Sequence, residues 1–151
     1  HGLISMWAPE LVIVREVKIN NLLENEILLS VYDGGAKSFE GLWHIPGGYN
    51  KWPELDVQAT CSRVAKREIG SDVVFMKVLH ADKWKTGEHP YGHPLSLYVN
   101  CLPAPKLEYA ETEKIKFFSL NNLPKKIVEP HRRFMETLLP KLELDRFYFP
   151  N

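Results

Sequence analysis

The chain has 151 residues, 44% hydrophobic and 25% charged, which suits one globular domain with a single real core and requires no second. Nineteen Lys and Arg balance nineteen Asp and Glu, and no basic run stands out, so nucleic acid and anionic membrane surfaces are poor partners and a small molecule is the natural one. Cys61 and Cys101 sit in apolar settings without C-x-x-C spacing. They read as buried reduced thiols of a cytoplasmic protein rather than as a disulfide or zinc framework, and no signal peptide or spanning segment is visible.

In chain order, residues 1–5 (HGLIS) precede Met6 and are set aside as tag-like. Leu11 to Ile19 is apolar and β-branched, as a sheet strand should be, and Asn20-Asn21 ends it. Glu26 to Tyr32 reads as its hairpin partner, closed by the turn residues Asp33-Gly34-Gly35. Leu42 to Ile45 is a short buried strand stopped by Pro46-Gly47-Gly48, a turn that frees backbone groups. From Val57 a helix begins, with Val57, Cys61, Val64 and Ala65 on one apolar stripe. Glu68 falls on that same stripe, four residues after Val64. A carboxylate on an inner helix face is costly unless a cation or hydrogen bonds offset it, so Glu68 requires a partner.

Beyond Gly70, Val73 to Leu79 and Leu95 to Leu102 read as strands joined by a polar segment, Asp82 to Pro94. Lys83, Trp84 and Tyr91 in that segment are the candidate substrate contacts, the aromatics by stacking and the lysine by charge. His80, His89 and His93 lack ligand spacing, so a zinc site built from them is not expected. Lys114 to Leu120 is a further strand, and Pro130 to Leu142 a second helix with Phe134, Leu138 and Leu142 in register. His131 and Arg132 at its start read mainly as surface residues. The aromatic tail Phe147-Tyr148-Phe149 should dock, either on its own domain or on the mate of a homodimer.

The stretch from Gly48 to Gly70 resembles the Nudix box, whose usual form is Gly, five residues, Glu, seven residues, Arg-Glu, an aliphatic, any residue, Glu-Glu, any residue, Gly. Gly48 and Glu54 fit its first half, and Arg63 through Gly70 its second. Two departures stand out. Eight residues separate Glu54 from Arg63, so either the loop has one extra residue or Glu54 is not the equivalent acid. Of the three glutamates that normally follow the Arg only Glu68 remains, with Val64 and Arg67 in the other places. This reduced form, together with Trp43-x-x-Pro46-Gly47-Gly48, resembles the GDP-mannose mannosyl hydrolase branch. Val31-Tyr32, where that branch has a basic residue, and Thr112, where it has a His base, depart from it.

The resemblance implies an α/β fold, an α/β/α sandwich with a mixed sheet and the box helix on one face. It implies a magnesium-dependent hydrolase, with manganese as a substitute, acting on a nucleoside diphosphate linked to another moiety such as a sugar. The implied metal ligands are Glu68, the Gly47 carbonyl and Glu111, which lies six residues before Phe117. Glu68 and Glu111 are the implied catalytic carboxylates, with Arg63 orienting them. The alternative is a Nudix-fold nucleotide-binding or regulatory domain that lost turnover with its box glutamates.

Overall fold

The computed structural model describes residues 7–31, 39–51, 53–83, 95–104 and 111–149. The apolar run expected as one strand is two, β1 (Trp7–Val12) and β2 (Val14–Ile19), broken at Ile13 by a change of partner. β1 runs parallel to β6 (Leu95–Pro103), whereas β2 pairs antiparallel with β3 (Leu22–Val31). At the break the Ile13 carbonyl accepts from the Leu28 N–H at 3.0 Å. Asn20 and Asn21 make the tight turn, both with positive φ (50° and 65°), a conformation asparagine tolerates better than most residues. Because that turn takes only two residues, β3 begins at Leu22, earlier than its apolar pattern alone indicates.

β6 also pairs with β5 (Val73–Lys83), while β3 pairs with the two-residue β4 (Trp43–His44) and with β7 (Ile115–Ser119). The aromatic tail forms β8 (Phe147–Phe149), parallel to β2, so it docks on its own domain. Parallel and antiparallel pairs together make the sheets mixed.

Side-chain alternation along the strands divides the core in two. Leu11, Ile13 and Leu28 face α1 (Val57–Ile69), where Cys61, Val64, Ala65 and Ile69 meet them. Val12, Val14, Ile27 and Leu29 face Phe134, Met135 and Leu139 on the other side. The result is the expected sandwich of helix, sheet and helix. Asp56 caps α1 by accepting the Ala59 N–H at 2.7 Å, and Gly70 ends it in the left-handed conformation (φ 68°). The second helix is present but irregular. α2 (Glu129–Arg133) passes into a π-helical turn (Phe134–Leu138) and then a 3-10 turn (Leu139–Lys141), because Pro140 has no N–H for the ladder and the Leu139 N–H reaches back to Phe134. No helix among the described residues is long and apolar enough to cross a membrane.

Cys61 and Cys101 are both free and fully buried in the cluster under α1. Their mutual hydrogen bond, with burial, pushes the Cys101 thiol well up. A hydroxyl in place of the Cys61 thiol has poorer company there, so Cys61→Ser should cost about 1–2 kcal/mol of stability. Urea denaturation checks this, and an unchanged midpoint would mean that Cys61 is not packed as described.

Candidate functional site

The segment after β4 lies antiparallel against β1. Leu11 donates to the Pro46 carbonyl at 2.7 Å, Gly48 donates to Pro9 at 3.3 Å and Asn50 donates to Trp7 at 3.1 Å. This pairing uses the carbonyl of Pro46 and the N–H of Gly48, and leaves the Gly47 carbonyl directed the other way, toward the last turn of α1. Both glycines are there for space. A Cβ on Gly47 would fall 2.1 Å from Glu10 Oε2, and one on Gly48 would fall 2.2 Å from Arg67 Nη2.

From α1, Arg67 and Glu68 reach this turn. Arg67 Nη2 donates to the Gly47 carbonyl at 3.1 Å and to Glu68 Oε1 at 3.0 Å. The partner that Glu68 required is therefore its own neighbour, Arg67. Burial raises the Glu68 carboxyl above its ordinary range and the nearby Glu10 adds to the rise, while the Arg67 charge and hydrogen bond oppose it.

One turn earlier on α1, Arg63 holds the loop. Its Nε donates to Glu54 Oε2 at 2.6 Å and its Nη2 to Glu54 Oε1 at 3.1 Å, and Nη2 also meets the Tyr49 carbonyl. Glu54 further accepts from the Lys51 N–H at 2.8 Å and the Thr60 hydroxyl at 3.1 Å, and the Arg63 bond leads the causes that hold its carboxyl below the usual range. Despite the eight-residue spacing, Glu54 meets Arg63. Glu54→Gln should cost about 1–2 kcal/mol, because a charge-assisted fork becomes a neutral contact. Thermal melting near neutral pH measures it, and no loss of stability would remove Glu54 as the tie of this loop.

Beneath the turn lie three polar residues that the sequence did not single out as a group. Glu10 is buried within β1, with Ser96 Oγ 3.5 Å from its Oε1 and His131 Nε2 3.5 Å from its Oε2. His131 is not at the surface but 1% exposed, and its Nδ1 accepts the Ile45 N–H at 3.0 Å. Pro130, the second residue of α2, sets His131 in the first turn, against the backbone before Pro46. His44 is buried as well, with Nδ1 2.8 Å from the Ile45 carbonyl and Nε2 3.3 Å from Ser30 Oγ. Desolvation, then the charge of His131, lowers its pKa to about 3. Tyr49, over the same turn, is raised by burial and by Glu10.

The structure thus brings together Gly47, Arg67 and Glu68, with Arg63 joined to them through Tyr49. Glu111 is bonded elsewhere: its Oε1 accepts from Arg15 Nη2 at 3.3 Å and from the Phe117 N–H at 3.2 Å. Arg15 in turn pairs with Glu26 at 2.8 Å and lies over the rings of Phe117 and Phe149. Lys83 is exposed at the end of β5. Trp84 and Tyr91 lie outside the described residues, as do His89, His93 and the turn at residues 33–35.

A hard divalent cation takes oxygen ligands, and by type the Gly47 carbonyl and the Glu68 carboxylate suit it. By arrangement they do not fit it, because the Arg67 guanidinium already bridges both oxygens. Among the described residues no three acidic, His or Cys side chains are grouped so as to hold a metal.

The NUDIX domain profile matches residues 15–138. The chain belongs to the NUDIX domain family. Its fold agrees with solved members. It superposes on a mutT/nudix family protein from Listeria innocua with a TM-score of 0.68 at 16% identity, covering 89% of this chain and 92% of that one. The NUDIX domain of Shewanella oneidensis NrtR, solved with ADP ribose, gives 0.61 at 14% identity over 89% and 86% of the two chains. The Ap4A hydrolase of C. elegans gives 0.55 at 18% identity over 76% and 80%. No curated protein matches the chain. At these identities the structural likeness carries the fold, and nothing in it singles out the mannosyl hydrolase branch.

Proposed function

We propose that this NUDIX domain binds and hydrolyses a nucleoside diphosphate linked to a second moiety, a nucleotide sugar being one such compound, on the face between the Pro46-Gly47-Gly48 turn and the end of α1. The observation that carries the reading is the junction of the Gly47 carbonyl, Arg67 and Glu68, positioned by the Arg63–Glu54 fork. The ligands named for the S. oneidensis and C. elegans neighbours, ADP ribose and Ap4A, are both phosphate-bridged nucleotides and support the substrate class. Magnesium or manganese is the ion the family implies, and supplied with the nucleotide it would offset charge on the diphosphate. The resemblance gives Gly47, Glu68 and Glu111 to that ion, but Arg67 occupies the first two and Glu111 pairs with Arg15, so no step is routed through it.

The chain's own residues have these tasks. Glu68, its carboxyl raised toward neutrality, takes the proton of the attacking water. Arg63 keeps Glu54 and the Tyr49 carbonyl fixed, which holds the turn against α1. Arg67 meets negative charge on the diphosphate. Lys83, Trp84 and Tyr91 are assigned to the sugar or base, and Glu111 is the second carboxylate.

The alternative, a binding or regulatory domain without turnover, is favoured by one feature, the arginine seated between the two expected metal oxygens. Incubating the purified chain with nucleotide sugars, dinucleotides and nucleoside triphosphates, each with magnesium and with EDTA, separates the two by chromatography of the products. Release of a nucleoside mono- or diphosphate from any of them supports the hydrolase. Saturable binding with no product from the whole set would instead establish the binding domain.

A further inference from the structure

We infer that Arg67 is a built-in cation that binds the diphosphate oxygens directly, so that nucleoside diphosphate binding at this site needs no divalent ion. This rests on the proposed reading that a diphosphate is bound between the glycine turn and α1, and it names the group that recognises it.

Three observations converge on Arg67. It stands where the Nudix box has a glutamate, so the residue type at that place has changed from an anion to a cation. Its guanidinium has gone to the two oxygens that the resemblance assigns to the metal, the Gly47 carbonyl and Glu68 Oε1. Finally, Gly48 leaves the room that this position requires, since a Cβ there would lie 2.2 Å from Arg67 Nη2. Substitution of the residue, placement of its charge and clearance above the turn all serve one position.

The guanidinium is also available to a ligand. Both of its bonds use Nη2, and among the described residues Nε and Nη1 have no other partner. The Arg67 side chain is 47% exposed while that of Glu68 is 26% exposed, so a ligand reaches the guanidinium more readily than the carboxylate. The unengaged Nε and Nη1 N–H groups can each donate to a phosphate oxygen, and the carbonyl and carboxylate held by Nη2 fix the orientation of the group. A hydrated metal ion would carry more charge at the same place but would have to expel Arg67 first. One position cannot hold both cations.

The test is calorimetric titration of the full chain with ADP, in EDTA and in magnesium. Binding in EDTA, roughly unchanged by magnesium, is expected, and Arg67→Gln should weaken it roughly tenfold or more. Gly48→Ala, which keeps the charge but crowds the guanidinium off the turn, should weaken it in the same direction. Arg67→Glu should leave ADP binding dependent on magnesium. Wild-type binding that requires magnesium, or binding in EDTA that survives Arg67→Gln, overturns the role of Arg67 and leaves the diphosphate site standing. No binding of ADP with or without magnesium removes both.

Discussion

Glu68→Gln is expected to lower kcat/KM on any hydrolysed nucleotide by roughly 100-fold or more, the range that general acid–base catalysis contributes, while leaving the fold intact. The amide keeps the shape of the carboxylate and an oxygen that can still accept from Arg67, so the junction with Gly47 should survive. What is lost is the ability to take a proton. Because burial raises the Glu68 carboxyl, the acidic limb of the wild-type rate profile should lie above the usual carboxylate range. The measurement is a pair of pH–rate profiles for wild type and variant together with a thermal melt of each. A variant that hydrolyses at the wild-type rate removes Glu68 from the chemistry. A variant whose melting point collapses would instead mean that Glu68 is chiefly a structural partner of Arg67.

Much of this site could be read from the sequence because its elements announce themselves locally. Pro46-Gly47-Gly48 is a turn in any context, Val57 to Ala65 shows a helical stripe, and Glu68 on that stripe demands compensation. Pairing by contrast depends on tertiary geometry. That Glu68 would take Arg67, its immediate neighbour, was hidden by helical periodicity, which sets adjacent residues apart by roughly a third of a turn. Only the Gly47 carbonyl, free because its neighbours pair with β1, draws the guanidinium to the same place.

Glu10 and His131 were missed for a related reason. Glu10 lies inside β1, just before the apolar run from Leu11, and His131 at the start of a distant helix, and nothing in local spacing links residues 121 apart. The usable signal was the one also applied to Glu68, an acid in an otherwise buried run. The break at Ile13 was illegible too, since an exchange of strand partners leaves the apolar pattern of Leu11 to Val14 unchanged.

Acid should destabilise the fold well above the carboxylate range, and His44 should be the cause. Its folded pKa is about 3 against an ordinary 6.5, lowered first by burial and then by His131, with Arg67 contributing and the bond to the Ile45 carbonyl opposing. A group depressed in the folded state contributes stability that is complete above the unfolded value and is lost as pH falls, because the unfolded chain takes up the proton that the folded one refuses. Between pH 8 and about pH 4.5 that loss amounts to about 3 kcal/mol. Two carboxyls act nearby in the same range. The depressed Glu54 adds to the loss in its lowest part, while the raised Glu68 works the other way and gains stability on acidification. Only a comparison isolates the histidine. His44→Asn, whose side-chain amide can still donate to the Ile45 carbonyl, removes the proton-binding ring, so its urea-unfolding free energy should fall less steeply than that of wild type from neutrality downward. Parallel curves for the two proteins would show that His44 is not held neutral by its burial between Ser30 and the glycine turn.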